Sequence, residues 1–346
     1  MYINFMSEEN RNIYVYYWLL LITFLVGLII MVGGLTRLTD SGLSITKWDL
    51  FSGVLPPLSL ADWEKFFSLY KQIPEYREIN SSMTLDQFKI IYWWEYAHRL
   101  LGRIIGIFYI LPLLFFTFKK KINKKDATTF YLIFFLICLQ GFLGWYMVKS
   151  GLTERVDVSH YRLSVHLTLA FVILIFLLWS LLKYKYHKSF FSDYKLPKYI
   201  PVIFLFCILI QISIGALVSG LDAGQIYQSW PLMNSSYFPD DSNLKILFSI
   251  NSLENPSVVQ FIHRNIAYFI FIFFLVIFFM IFKNNELRYL RNTALLIFAL
   301  LLLQIFLGIL TILSGAQIIL ASMHQLGSIF LIAAALMLVF KNSKIS

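Results

Sequence analysis

Eight long apolar stretches, separated by shorter polar segments, organise the chain. They cover about residues 14–36, 92–118, 129–149, 161–183, 199–220, 258–282, 292–314 and 318–340. A helix needs roughly 20 apolar residues to cross about 30 Å of hydrocarbon, and each stretch comes close to that length or exceeds it. The pattern therefore predicts an all-α integral membrane protein with eight transmembrane helices.

Composition and charge agree with that class and add an orientation. Hydrophobic residues make up 59% of the 346 residues and charged residues 14%, whereas soluble domains average about 25% charged residues. The lysines and arginines behind the net charge of +10 cluster in the loops after predicted helices 2, 4 and 6. Such loops face the cytoplasm, so the charge indicates topology and not nucleic-acid binding. We predict a multi-pass protein of the cell inner membrane with both termini cytoplasmic and segments 37–91 and 221–257 outside.

The two halves of the chain repeat one another. Several offsets, which differ because the loops differ in length, align Gly33 with Gly215, Asp40 with Asp222, Gln140 with Gln304, Gly144 with Gly308, His98 with His263, and His166 with His324. Four helices per unit make the repeat parallel, not inverted. We predict two parallel-repeat four-helix bundles, formed by residues 1–190 and 191–346.

Four intramembrane histidines, His98, His166, His263 and His324, are the main candidates for chemistry. All lie on even-numbered predicted helices, about five residues after the helix begins, which is roughly 7–8 Å below the outer boundary at a 1.5 Å rise per residue. Polar residues inside lipid usually mark function, and haem iron binds histidine axially. Two histidines suit zinc poorly, since zinc sites use three or four ligands. The pattern predicts iron between His98 and His166 and between His263 and His324; ordinary packing is the plainer alternative.

Charged neighbours distinguish the two predicted pockets. Arg99 and Arg264 each follow a histidine; they could bind haem propionates or extend to the lipid headgroups. Glu95 shares a helix face with His98, whereas its repeat partner is Gln260. A carboxylate beside iron favours a reacting pocket in the first half, where Glu95 could exchange a proton or stabilise charge. A simple helix-terminal role for Glu95 is the alternative.

Other intramembrane polar residues have simpler interpretations. We expect Gln140, Gln211 and Gln304 to be interhelical hydrogen-bond partners. His160, six residues before His166, is expected to be solvated at the outer surface.

Four segments together resemble the haem A synthase family: residues 33–48 (GGLTRLTDSGLSITKW), 95–103 (EYAHRLLGR), 261–264 (FIHR) and 323–327 (MHQLG). The similarity covers nearly the whole chain. Two features resemble the proteobacterial and mitochondrial branch of the family: the first outer loop is long, and it contains no cysteine. The chain's cysteines, Cys138 and Cys207, lie in predicted helices.

The resemblance implies oxidation of the C8 methyl of haem O to a formyl group, giving haem A for cytochrome oxidase. It implies that His263 and His324 ligate a resident haem b that relays electrons, while His98 and His166 flank the substrate haem O, with Glu95 essential nearby. Haem O synthase is the expected source of the substrate, the electron donor is unidentified, and homo-oligomers are possible. A di-haem b electron carrier remains the alternative, and a repeat-based transporter would leave the histidines unexplained.

Overall fold

Eight long helices form the body of the protein. This computed structural model describes residues 12–47, 55–154, 156–186 and 195–343; Trp48, within the first resemblance segment, lies outside them. The long helices are α1 (Ile13–Leu38), α4 (Leu85–Phe118), α5 (Lys124–Glu154), α6 (His160–Lys185), α7 (Tyr199–Gly220), α8 (Pro256–Lys283), α9 (Arg291–Leu313) and α10 (Ile318–Asn342). All eight are long and apolar enough to cross a membrane. The described residues contain no strand, so the predicted all-α membrane class and its eight helices are confirmed.

The first long loop contains two helices that the pattern of apolar stretches does not predict. It contains α2 (Leu60–Tyr70) and α3 (Pro74–Glu78); we call residues 55–84 the cap. A capping box starts α2, because the Ser59 hydroxyl accepts from the Asp62 N–H while the Asp62 carboxylate accepts from the Ser59 N–H. The cap buries Phe67 and Tyr70 against Phe88 of α4. An aromatic core therefore sits at one end of the bundle, which we call the cap end.

Helix α4 begins two turns earlier than predicted. Thr84 and Gln87 form a second capping box, which starts the helix at Leu85 instead of residue 92. His98 therefore lies thirteen residues after the start of its helix, whereas His166, His263 and His324 lie six or seven residues after theirs. The expectation of an equal five-residue placement is wrong for His98, because the polar first turns of α4 extend beyond the apolar stretch to support the cap.

Helix contacts follow the same scheme in both halves of the chain. In the first half, α1 and α5 each pack against both α4 and α6; in the second half, α7 and α9 each pack against both α8 and α10. Helices α6 and α7, and also α1 and α10, join the two halves. Apolar side chains fill the centre, among them Leu19, Ile22, Phe171, Phe204 and Phe274.

One arginine connects the halves at the cap end. The Nη2 of Arg37 donates to the carbonyl of Ser219 and to Oδ1 of Asp222, both at 2.8 Å, and its Nη1 donates to Oδ1 of Asp40 at 2.7 Å. Asp40 and Asp222 adopt matching left-handed backbone angles, φ 47° and 48°. Since Asp222 is the repeat counterpart of Asp40, both halves supply the same turn to one guanidinium.

Candidate functional site: four histidines in glycine cradles

Each of the four histidines packs its ring edge against a glycine of the long helix that precedes it. The contacting glycines belong to α1, α5, α7 and α9, and the histidines to α4, α6, α8 and α10. A Cβ on Gly33, Gly144, Gly215 or Gly308 would lie 2.7, 3.1, 3.1 or 3.2 Å from Cε1 of His98, His166, His263 or His324, respectively. A Cβ at Gly33 would force the ring or the helix to shift, and a Cβ at the other three glycines would require each ring to move by a few tenths of an ångström. We call each of these close glycine–histidine contacts a glycine cradle.

A glutamine one turn before the glycine secures three of these histidines. Gln140, Gln211 and Gln304 donate from Nε2 to the main-chain carbonyls of His166, His263 and His324 at 3.0, 2.9 and 3.1 Å. The prediction of interhelical hydrogen bonds is confirmed. Ile29 occupies the corresponding position before Gly33. The carbonyl of His98 therefore lacks this bond, which makes the first cradle different from the other three.

The second histidine pair has the spacing that a shared iron needs. The ring centroids of His263 and His324 are 6.4 Å apart, with the ring planes at 79°. Two metal–nitrogen bonds of about 2 Å each, extended by about 1 Å to each ring centre, give a similar separation. Nδ1 of each of the four histidines is buried and has no hydrogen-bond partner within the described residues, and such atoms call for a partner. This donor set fits haem iron, and the described residues contain no cluster of three or more metal-binding side chains.

Glu95 and Arg99 form a closed network beside the first pair. The Oε1 of Glu95 accepts from Nε and Nη2 of Arg99, and its Oε2 accepts from the Ser44 hydroxyl and the Ile45 N–H, each at 2.7 Å. Nη2 of Arg99 also donates to the carbonyl of Ile45 at 2.9 Å. A carboxylate has about four acceptor sites, so all of them are used here. Glu95 thus fixes the loop after α1 and the Arg99 side chain next to His98.

The second half keeps the arginine but not the carboxylate. Arg264 donates to the carbonyls of Tyr227 and Leu232 at 3.1 and 3.4 Å, and Nε2 of Gln260 also donates to the Tyr227 carbonyl at 3.1 Å. The Arg264 residue is 7% exposed, and the Arg99 side chain is 9% exposed. The interpretation that these arginines extend to lipid headgroups is therefore wrong, since both turn inward and hold loop carbonyls.

A second buried carboxyl lies in the cap. Glu75, on α3, is 4% exposed, and Nδ2 of Asn80 links it to the Tyr70 hydroxyl, with contacts of 3.5 and 2.8 Å. Burial, aided by the charges of Glu95 and Asp40, raises the pKa of Glu75 to about 8. No pattern in the sequence singles out Glu75, because its burial depends on the fold of the cap.

His160 is buried, contrary to expectation. It is 6% exposed, and its ring lies on Tyr161 with centroids 4.2 Å apart. A Cβ on Gly220 would come within 2.8 Å of His160, so the end of α7 covers it. The sequence could not show this, because the covering helix comes from the other half.

The glycines are the site residues that sequence reasoning missed. Alignment of the halves paired Gly33 with Gly215 and Gly144 with Gly308, but it did not connect them with the histidines. The usable signal was the spacing of glutamine and glycine four residues apart, which recurs at Gln140, Gln211 and Gln304.

Comparison with known proteins finds relatives over nearly the whole chain. Residues 16–336 match a family described as cytochrome oxidase assembly protein. The chain is 48% identical to the haem A synthase of Pelagibacter ubique, over 98% of this chain and 99% of the relative. It is 42% identical to that of Rickettsia felis, over 91% and 94%, and 43% identical to that of Agrobacterium fabrum, over 92% and 87%.

Proposed function

This chain belongs to the family of cytochrome oxidase assembly proteins, and from that membership we propose that it is an oxidoreductase that converts haem O into haem A. The reaction oxidises the C8 methyl group of haem O to a formyl group and supplies haem A to cytochrome oxidase. Haem A synthases similar over nearly their full length support the proposal.

The observation that carries this proposal is an asymmetry between two sites that share the same pattern of histidines and glycines. Both halves present two histidines in glycine cradles, but among the described residues a buried glutamate–arginine pair lies beside the histidines of the first half alone. A pure electron carrier has no need for that difference. A protein with one reacting pocket and one electron-transfer pocket needs its two sites to differ in this way.

The second half would hold a resident haem b through His263 and His324. Their facing rings and the glutamine bonds to both carbonyls support this assignment. A bound haem b supplies one-electron transfer from an external donor. Gln211 and Gln304 keep the two histidine backbones in place, as partners outside the ligand shell usually do.

The first half would bind the substrate haem O between His98 and His166. Glu95 holds Arg99 and the loop after α1 at the edge of this pocket. As an acid or base, Glu95 must first release one of its four donors; as an anchor, it keeps Arg99 available for a substrate carboxylate. Arg264 takes the corresponding place beside the resident haem.

The position of the protein in the bilayer and its repeat determine where this chemistry takes place. We infer two four-helix halves, residues 1–190 and 191–346, in the inner membrane, with both termini cytoplasmic and the haem sites near the outer face. The matching helix contacts of the two halves support this organisation. Haem O synthase is the natural source of the substrate, and the electron donor is a separate protein or carrier.

Pigment analysis tests the proposal. Cells that make haem O are grown with and without this protein, and extracted haems are separated with mass detection. New haem A, or its hydroxylated precursor, is the expected result. Unchanged haem O together with a red protein carrying two haems b would contradict the synthase assignment and favour the electron carrier.

Variants test the division of roles. His263→Leu should lose the resident haem b, while His98→Leu should retain it and lose haem A formation. Glu95→Gln should retain haem b and lower haem A formation. Equal loss of haem b in both histidine variants would refute the assignment of one haem role to each half.

A further inference from the structure

A cavity of about 220 Å³ opens at the cap end of the contact between α4 and α5. Thr46, Arg99, Trp145 and Lys149 contribute to its lining. Arg99 directly follows His98, and Trp145 directly follows Gly144, the glycine that contacts His166. The cavity therefore lies between the helix that carries His98 and the helix whose Gly144 contacts His166.

The two cationic side chains that line this cavity differ in how their charge is balanced by neighbouring groups. The charge of Arg99 is matched by Glu95, with which it forms a buried ion pair. Lys149 lies above the ring of Trp145, with Nζ 5.0 Å from the ring centroid, and is exposed. A ligand carboxylate beside Arg99 would also lie near Glu95 and be repelled by it, unless a further positive charge offsets Glu95. Lys149 provides that charge.

The repeat shows that this cation is special to the first half. The offset that aligns Gly144 with Gly308 aligns Trp145 with Ile309 and Lys149 with Leu313. Leu313 is 50% exposed, so the second half presents an apolar side chain at the matching place. A structural lysine required by the bundle itself would be expected in both halves.

We propose that this cavity is a carboxylate subsite of the substrate pocket, in which Lys149 forms an ion pair with one propionate of the incoming haem. Trp145 and the adjacent apolar lining contact the porphyrin edge, and Arg99 donates from the opposite wall. The proposal rests on the proposed function, because it requires haem O to bind between His98 and His166. Only the half that must take up and release its haem carries the lysine.

The test combines a change in the protein with a change in the ligand. Full-length protein is purified in detergent with its resident haem and titrated with haem O or with haem O dimethyl ester, and binding is followed by the Soret absorbance. Lys149→Met should weaken the affinity for haem O about fivefold, as expected for the loss of one partly exposed ion pair. The same variant should leave the affinity for the ester unchanged, because the ester has no carboxylate with which Lys149 could form an ion pair.

Controls separate the possible outcomes. Lys149→Arg should retain the wild-type affinity, and Lys71→Met, on the exposed surface of the cap, should have no effect. Equal weakening of both ligands by Lys149→Met, or no weakening of either, would overturn the subsite. If His98→Leu leaves haem O binding unchanged, the proposed function fails as well; if it abolishes binding while Lys149→Met has no effect, only the subsite fails.

Discussion

Glycine and histidine act as a unit at four places in this bundle. Because glycine has no Cβ, the imidazole ring can lie against the neighbouring helix. This contact sets both the depth and the direction of the ring. The contact is tightest at Gly33, where a Cβ would reach within 2.7 Å of His98. The first cradle also lacks the glutamine bond, so the position of His98 depends on its glycine more than that of the others does.

Gly33→Ala should displace His98 and impair the first pocket, while the haem b proposed for the second pocket should be retained. Overpacking at such a contact costs about 1–3 kcal/mol, which predicts at least about fivefold weaker haem O binding. Absorbance titration measures the affinity for haem O, and extraction of the purified variant measures its haem b content.

Gly27→Ala is the matched control on the same helix. Nothing lies within 4 Å of a Cβ at Gly27, and alanine favours helix over glycine by about 1 kcal/mol. Haem O binding should stay at the wild-type level there. A loss of equal size in both variants would show that α1 tolerates no alanine, and that the cradle is not the cause.

Two short elements, α2 and α3, convert the long loop into a cap with its own aromatic core. Tyr70, the last residue of α2, and Glu75, in the first turn of α3, are both buried there. Since Glu75 is drawn towards its neutral form, the cap should be sensitive to pH.

Glu75 should make the protein less stable as the pH rises. Its pKa is raised from 4.5 to about 8, so between those values the folded cap retains a proton that the unfolded chain has lost, and stability falls with increasing pH. The melting temperature should drop between about pH 5 and about pH 8.5, and Glu75→Gln should reduce that drop. An identical pH dependence in wild type and variant would contradict the assignment.

At the scale of the whole molecule, the cap ends of the two halves meet at Arg37. Its guanidinium binds the Ser219 carbonyl and Asp222 from the second half and Asp40 from its own. The Arg37 side chain is 14% exposed, whereas the side chains of Asp40 and Asp222 are 75% and 59% exposed, so solvent weakens the two ion pairs. The hydrogen bond to the Ser219 carbonyl adds a charge-assisted contact across the halves.

Arg37→Met should lower the stability of the assembled halves by about 1–3 kcal/mol, as expected when charge-assisted hydrogen bonds are lost. Thermal unfolding in detergent measures the change, and a double-mutant cycle with Asp222→Asn isolates the contribution across the halves. Arg162→Met is a suitable control, since Arg162 contacts Tyr146 within the first half. A coupling energy near zero would show that the Arg37–Asp222 ion pair does not stabilise the contact between the halves.

The sequence by itself determined the class, the number of spans and the family. Long apolar stretches leave the backbone no alternative to helix in lipid, because every polar group must be satisfied internally. The four histidines, Glu95 and its counterpart Gln260 were visible because they interrupt apolar helices, and the repeat placed them in two sets.

Only the tertiary structure decided which side chains meet across helices. The glycine cradles, the bonding of Arg99 to Glu95, the burial of His160 and the cavity beside Lys149 all depend on how far each helix is rotated and shifted against its neighbours. Local pattern does not encode that rotation in a membrane protein, where nearly every face of a helix is apolar. The early start of α4 and the folded cap arise for a related reason: polar capping boxes, which are short and local, extend structure beyond the hydrophobic signal.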